Sequence, residues 1–251
     1  MKKVFGLLCL FAVLSCVKNP ADNQRLRFSE KDLVPLNDST RALLYQDAAN
    51  IELSQVMKDP GRRTTEVMLN AQNVQGFYQD LTTIYNHSFL VSNSFFEYAP
   101  RIRSFGAIAL YRLFGTVDTT KSWVGNWLAG DSLTGIVGID SLVLTYGLSV
   151  QSIRQFGDHY LFVLSSRVPL NHIALSAKLE QTGEFKDVSA DGAVGDGSDI
   201  AFLESEIRIY EYSTGWGDCP AGCIFRHFWQ VIVSGQEVYL LDEGGDPLVG
   251  D

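Results

Sequence analysis

Apolar residues recur at helical spacing between residues 64 and 86: Val67, Ala71, Val74, Tyr78, Leu81 and Tyr85 follow one another at alternating steps of four and three. That spacing gathers them on one side of a helix and predicts the element over about 64–86. Upstream, Leu44, Ala48 and Ile51 mark a stripe on a second helix over 40–58, which Asp59, Pro60 and Gly61 bring to a stop. The short connection predicts an antiparallel helical hairpin.

Residues 88–130 are less regular. Phe89, Phe95, Phe96, Trp123 and Trp127 stand among Ser, Asn and Gly. The best strand pattern there covers 108–113, and the two tryptophans, four apart, suit one helix face as core anchors. From residue 139 the pattern is periodic again. Asp140 is placed to cap a short helix over 141–146 that Gly147 ends. Strands follow at 150–156 and 160–164, the second apolar on both faces as in a buried central strand. A helix over 169–181, capped by Asn171 and closed by Gly183, leads to a strand at 184–189. A strand, helix and strand of this length call for a parallel crossover, half of a ferredoxin-like (split βαβ) module. The C-terminal stretch reads as an antiparallel meander, with strands at 207–212, 225–233 and 237–241 and a tight turn at Ser234 and Gly235. The predicted fold class is α+β: a helical and mixed region at 39–135, a ferredoxin-like module at 136–195 and a β-meander at 196–251.

Composition adds constraints. The chain is 46% hydrophobic and 20% charged, which excludes a disordered or collagen-like chain. Twenty Lys plus Arg against 29 Asp plus Glu give a net charge of -9, so a nucleic-acid partner is not expected. Met1, Lys2 and Lys3 precede an apolar run at 4–14, too short to span a bilayer but the right length for a signal-peptide core. Val13, Leu14, Ser15 and Cys16 resemble the bacterial lipobox. That resemblance implies cleavage after residue 15 and diacylglycerol on Cys16, making 1–15 a signal peptide and Cys16 the mature N-terminus. The mature chain then has 236 residues, with 18 basic against 29 acidic side chains and a net charge of -11. Residues 16–38, broken by Pro20 and Pro35, read as a tether. The expected location is the periplasmic or outer face of a Gram-negative membrane, held through the lipid. Besides that membrane, the expected contact is a protein.

Candidate chemistry is concentrated near the C-terminus. Cys219 and Cys223 flank Pro-Ala-Gly, and in an exported chain they are expected to form a disulfide. The alternative is a zinc set of Asp218, Cys219, Cys223 and His227, whose cysteines and histidine are spaced by four. Asp187, Asp191, Asp196 and Asp199 lie among glycines and offer a flexible oxygen set for calcium, although no EF-hand pattern is present. The same residues also suit ordinary turns. No G-x-S-x-G, H-E-x-x-H or phosphate-cradling glycine loop occurs, and His87, His159, His172 and His227 sit in unrelated contexts. No cofactor is called for, and a non-catalytic protein is the expectation.

Two resemblances bear on this picture. His159 to Ser165 (HYLFVLS), the 169–181 helix and Thr182 to Val188 (TGEFKDV) resemble the propeptide inhibitor module of subtilisin-type proteases, over about residues 136–192. The resemblance implies a ferredoxin-like fold and a protein-contact surface rather than an activity. The run at 215–229, GWGDCPAGCIFRHFW, is similar to one in uncharacterised exported proteins of the Bacteroidetes type and implies no chemistry. The leading expectation is a lipid-anchored protein-binding or structural lipoprotein. The alternatives are an exported enzyme or metal-dependent protein built on the 218–227 loop and, more narrowly, a protease inhibitor.

Overall fold

The computed structural model describes residues 36–88, 94–192, 195–203 and 207–248. Helix α1 (Asp38–Lys58) starts where the Asn37 side chain accepts a hydrogen bond from the Thr40 amide, and it buries Leu44, Ala48, Ile51 and Val56. Asp59 ends α1 and begins α2 (Pro60–Thr65) by accepting from the Gly61 and Arg62 amides. Pro60 sits at the first helical position, where its missing N–H costs nothing. The next helix, α3 (Ala71–His87), is capped by Asn70 rather than starting near residue 64. Val67 falls in the linker and joins a different core, although its spacing fits the helical period. The buried stripe of α3 is Val74, Phe77, Leu81 and Ile84. Tyr45, early in α1, meets Tyr78 edge-on at 6.3 Å, whereas Glu52, later in α1, binds Asn73 at the start of α3. The hairpin is therefore antiparallel. Helix α4 (Ser94–Tyr98) and a 3-10 turn at Ala99–Arg101 follow.

The middle of the chain forms β1 (Arg112–Asp118), α5 (Val124–Leu128), α6 (Val137–Tyr146), β2 (Leu148–Phe156), β3 (His159–Ser166), α7 (His172–Glu180) and β4 (Asp187–Ala190). The sheet order is β2-β3-β1-β4. Strands β3 and β4 are each antiparallel to β1, so they run parallel to one another with β1 between them. This is the split βαβ arrangement, completed by β1 upstream of the stretch expected to hold the module. The strand at β1 lies at 112–118 and not at 108–113. Gly115 at its centre faces a close approach: a Cβ there would stand 2.5 Å from the Asp187 carbonyl and 2.5 Å from the Phe162 ring. Asp140 lies inside α6, and its carboxylate accepts from the Thr134 and Gly135 amides ahead of the helix. Trp123 and Trp127 are core anchors, in edge contact at 5.0 Å, with indole N–H groups donating to Glu184 and to the Ser132 carbonyl.

The C-terminal meander has four strands: β5 (Asp199–Leu203), β6 (Arg208–Trp216), β7 (Phe225–Ser234) and β8 (Glu237–Gly245), paired in that order. It packs on the N-terminal hairpin. Trp229, fully buried, lies 5.4 Å from the Tyr98 ring and 6.1 Å from that of Phe95. One core thus joins α1, α3 and α4 to the second sheet, while the first sheet and α5 to α7 enclose another. The seam between them runs through Asn171. Its side-chain oxygen caps α7, and its amide nitrogen donates to the Arg63 and Glu66 carbonyls at 2.9 Å each. No described helix is long and apolar enough to cross a membrane.

Candidate functional site

The loop between β6 and β7 is the chemically richest segment of the meander. Cys219 and Cys223 form a disulfide around the 3-10 turn Cys219–Ala221. The bridge packs on its surroundings: a Cβ at Gly215 would lie 2.6 Å from the Cys223 sulfur and 3.1 Å from the Gly197 carbonyl. The Asp196 amide donates to the Cys219 carbonyl at 2.9 Å, so the disulfide loop holds the segment leading into β5. Arg226 reinforces the clasp with an ion pair to Asp196 and a 2.6 Å hydrogen bond to Ser213 Oγ. Trp216 stacks on Phe225 at 5.9 Å. Replacing Cys219 and Cys223 together by Ala is expected to lower the unfolding free energy by about 2 kcal/mol, the chain-entropy value for so short a ring. Denaturant titration of the two forms measures it.

The zinc alternative does not assemble. Both sulfurs are used by the disulfide, which offers no thiolate, and the ring nitrogens of His227 are turned to other partners. Nδ1 lies 2.8 Å from the Asp246 carbonyl and Nε2 3.2 Å from Glu243 Oε1, while the ring packs 4.5 Å from that of Trp229. Asp218 precedes the 3-10 turn without joining them. The calcium set is dispersed as well. Asp187 is exposed on β4, Asp191 pairs with Arg112, Asp196 pairs with Arg226, and Asp199 accepts from the Phe105 amide at 2.7 Å. Among the described residues, no three His, Cys, Asp or Glu side chains are grouped to hold an ion. Cys16 and the signal and tether residues before Leu36 lie outside the described residues.

One face of the first sheet is packed and the other is open. The inner face, with Leu113, Val117, Phe162 and Leu164, is covered by α5 to α7. Strand alternation sends Phe114, Thr116, Leu161 and Val163 the other way. Phe114 stands opposite Val163, Thr116 opposite Leu161, and Phe156 opposite His159. Phe114, Leu161 and Phe156 are 45%, 44% and 66% exposed. The expectation that residues 160–164 are covered on both sides is thus corrected: the Leu161 side is open. The sequence hides this because an apolar run reads alike whether its second face meets a helix or a partner.

Sequence reasoning also missed groups with no local signal. Asp80 accepts from both Arg208 and Tyr210, 128 and 130 residues away. Ser94 Oγ donates to Glu243 at 3.1 Å. His172 is fully buried, and among the described residues neither ring nitrogen makes a well-formed hydrogen bond. Comparison of the chain with protein-family models, with curated proteins and with solved structures returns no match.

Proposed function

We propose that the chain is an exported lipoprotein, anchored through acyl chains on Cys16, whose folded body binds another protein through the open face of its first sheet. The observation that carries the reading is that face: large apolar side chains left uncovered on a sheet whose other side packs against α5 to α7. Contiguous exposed apolar surface is what protein contact sites offer. The lipobox-like residues 13–16 supply the anchor, and several acyl chains hold far more firmly than one. Labelling cells with a radioactive fatty acid tests the anchor. Label is expected on the wild-type chain and not on Cys16→Ser; equal labelling of the two, or none, contradicts it.

A narrower reading is inhibition of a subtilisin-type protease. It is favoured by the order of the first sheet, with β1 lying between the parallel β3 and β4, beside the resemblance of residues 136–192 to such propeptides. Titrating a subtilisin-type protease with the mature chain tests it. Stoichiometric loss of activity is expected, and full activity at micromolar chain disposes of it.

A further inference from the structure

We propose that the cleft between helices α1 to α3 and the β5–β6 side of the second sheet binds a small hydroxylated organic anion, a sugar acid or a sugar phosphate. The cleft has a volume of about 410 Å³, within the range of small-molecule sites. Three cations, Lys58, Arg62 and Arg208, line it beside two carboxylates, Glu52 and Asp59, in a chain whose net charge is -9.

Two of the three are fixed in place. Glu52 is fully buried and accepts from Arg62 Nη2 at 2.9 Å and from Asn73 Nδ2 at 3.0 Å. Arg62 Nε is held by Glu66 at 3.0 Å. Arg208 is paired through Nε with Asp80 and donates from Nη2 to the Tyr210 hydroxyl at 3.0 Å. Its guanidinium carbon lies 5.3 Å from the centre of the Phe77 ring and 5.4 Å from that of Phe202. A guanidinium held on this many sides loses little freedom when a ligand arrives, which removes part of the usual cost of binding.

The donors left over point to an anion. Nη1 of Arg62 and Nη1 of Arg208 make no hydrogen bond among the described residues, and Lys58, exposed at the rim, has no carboxylate partner among them. The acids nearby are engaged as follows: Glu52 accepts through both carboxylate oxygens, Glu66 from Arg62, Asp80 from two donors on Oδ2, and Asp59 from the first amides of α2 on Oδ1. The remaining wall groups suit hydroxyls. Gln55 Nε2 donates to the Phe202 carbonyl at 3.3 Å and Asn73 Nδ2 to Glu52, so each amide keeps its oxygen as an acceptor. A ligand with one anionic group and several hydroxyls matches this set: the anion takes the cations, and the hydroxyls donate to the amide oxygens.

Isothermal titration calorimetry on the mature chain, with D-glucuronate, D-glucose 6-phosphate, inorganic phosphate and D-glucose as probes, tests the proposal. At least one sugar anion is expected to bind with a Kd below about 1 mM at low salt, and glucose is not. Which of the two binds separates a carboxylate from a phosphate ligand. Lys58→Glu is expected to weaken binding at least about tenfold and Lys58→Arg to preserve it; both changes are at an exposed position and leave the fold intact. No binding of either sugar anion at about 10 mM overturns the proposal. So do equal binding of glucose, inorganic phosphate binding as tightly as glucose 6-phosphate, or unchanged affinity in Lys58→Glu.

Discussion

Acidification from pH 7 to pH 4 is expected to cost the wild-type fold about 3 kcal/mol more than it costs a His172→Leu variant. His172 opens α7 and is fully buried, and among the described residues neither ring nitrogen makes a well-formed hydrogen bond. Burial pushes its pKa down to about 4 from an ordinary 6.5, and the nearby Leu110 carbonyl offsets only part of that. The sign follows from which state takes the proton. Above pH 6.5 the ring is neutral in both states and nothing is lost. As the pH falls from 6.5 towards 4 the unfolded chain binds a proton that the native chain refuses, so stability declines; below 4 both states are protonated and the loss stops growing. Asp47 acts in the other direction, since burial raises its carboxyl pKa, but it does so equally in both proteins and cancels in the comparison. Leucine leaves no orphaned polar atoms, so at pH 7 the variant should be at least as stable as the wild type. Urea unfolding followed by tryptophan fluorescence at pH 7, 5.5 and 4 measures the difference. Parallel stability curves for the two proteins contradict it.

Gly215→Ala is expected to destabilise the protein by about 3 kcal/mol, at the upper end for inserting one methyl group into a packed site. The new Cβ meets the Cys223 sulfur at 2.6 Å and the Cys223 Cβ at 2.9 Å, and the Gly197 carbonyl closes the remaining side. None of these atoms ends a flexible side chain. The disulfide ties the sulfur, and the clasp through Asp196 and Arg226 ties the carbonyl segment. A double-mutant cycle isolates the cause. In the background where Cys219 and Cys223 are both Ala, the same glycine substitution should cost at least about 1 kcal/mol less, because the sulfur it strikes is gone. Additive effects would place the clash elsewhere. The 215–229 run thus has a structural role: Gly215 admits the disulfide, and the disulfide secures the chain entering β5.

Elements whose local signals agree with their packing were legible in advance. The start of α3 was not, because Val67 fits the helical period while Asn70 sets the cap. Gly115 weakens the strand pattern of β1, yet only glycine fits beside the Phe162 ring. Strand β5 was hidden in an acidic, glycine-rich loop whose last aspartate, Asp199, turns out to serve a strand. At the candidate sites the disulfide was readable from the spacing of Cys219 and Cys223 together with the expected compartment. The fate of His227 was not, since its partners Glu243 and Asp246 are brought to it by the β7–β8 register. The cationic cleft carries no linear trace: Lys58 and Arg62 are close in sequence on α1 and α2, but Arg208 comes from β6 of the second sheet. The open sheet face is half visible, as an apolar run at 160–164 whose pattern cannot say what covers its second side.

The open face is tested most directly by placing a photo-crosslinking amino acid at position 114 or 161 in cells making the full chain, with position 144 as the control. Leu144 is 70% exposed, on α6 against the sheet's other side. Light is expected to join the chain to one discrete protein from 114 and from 161, and to none from 144. Adducts that are absent from both sheet positions, or identical from all three, would overturn the proposal that this face binds a protein.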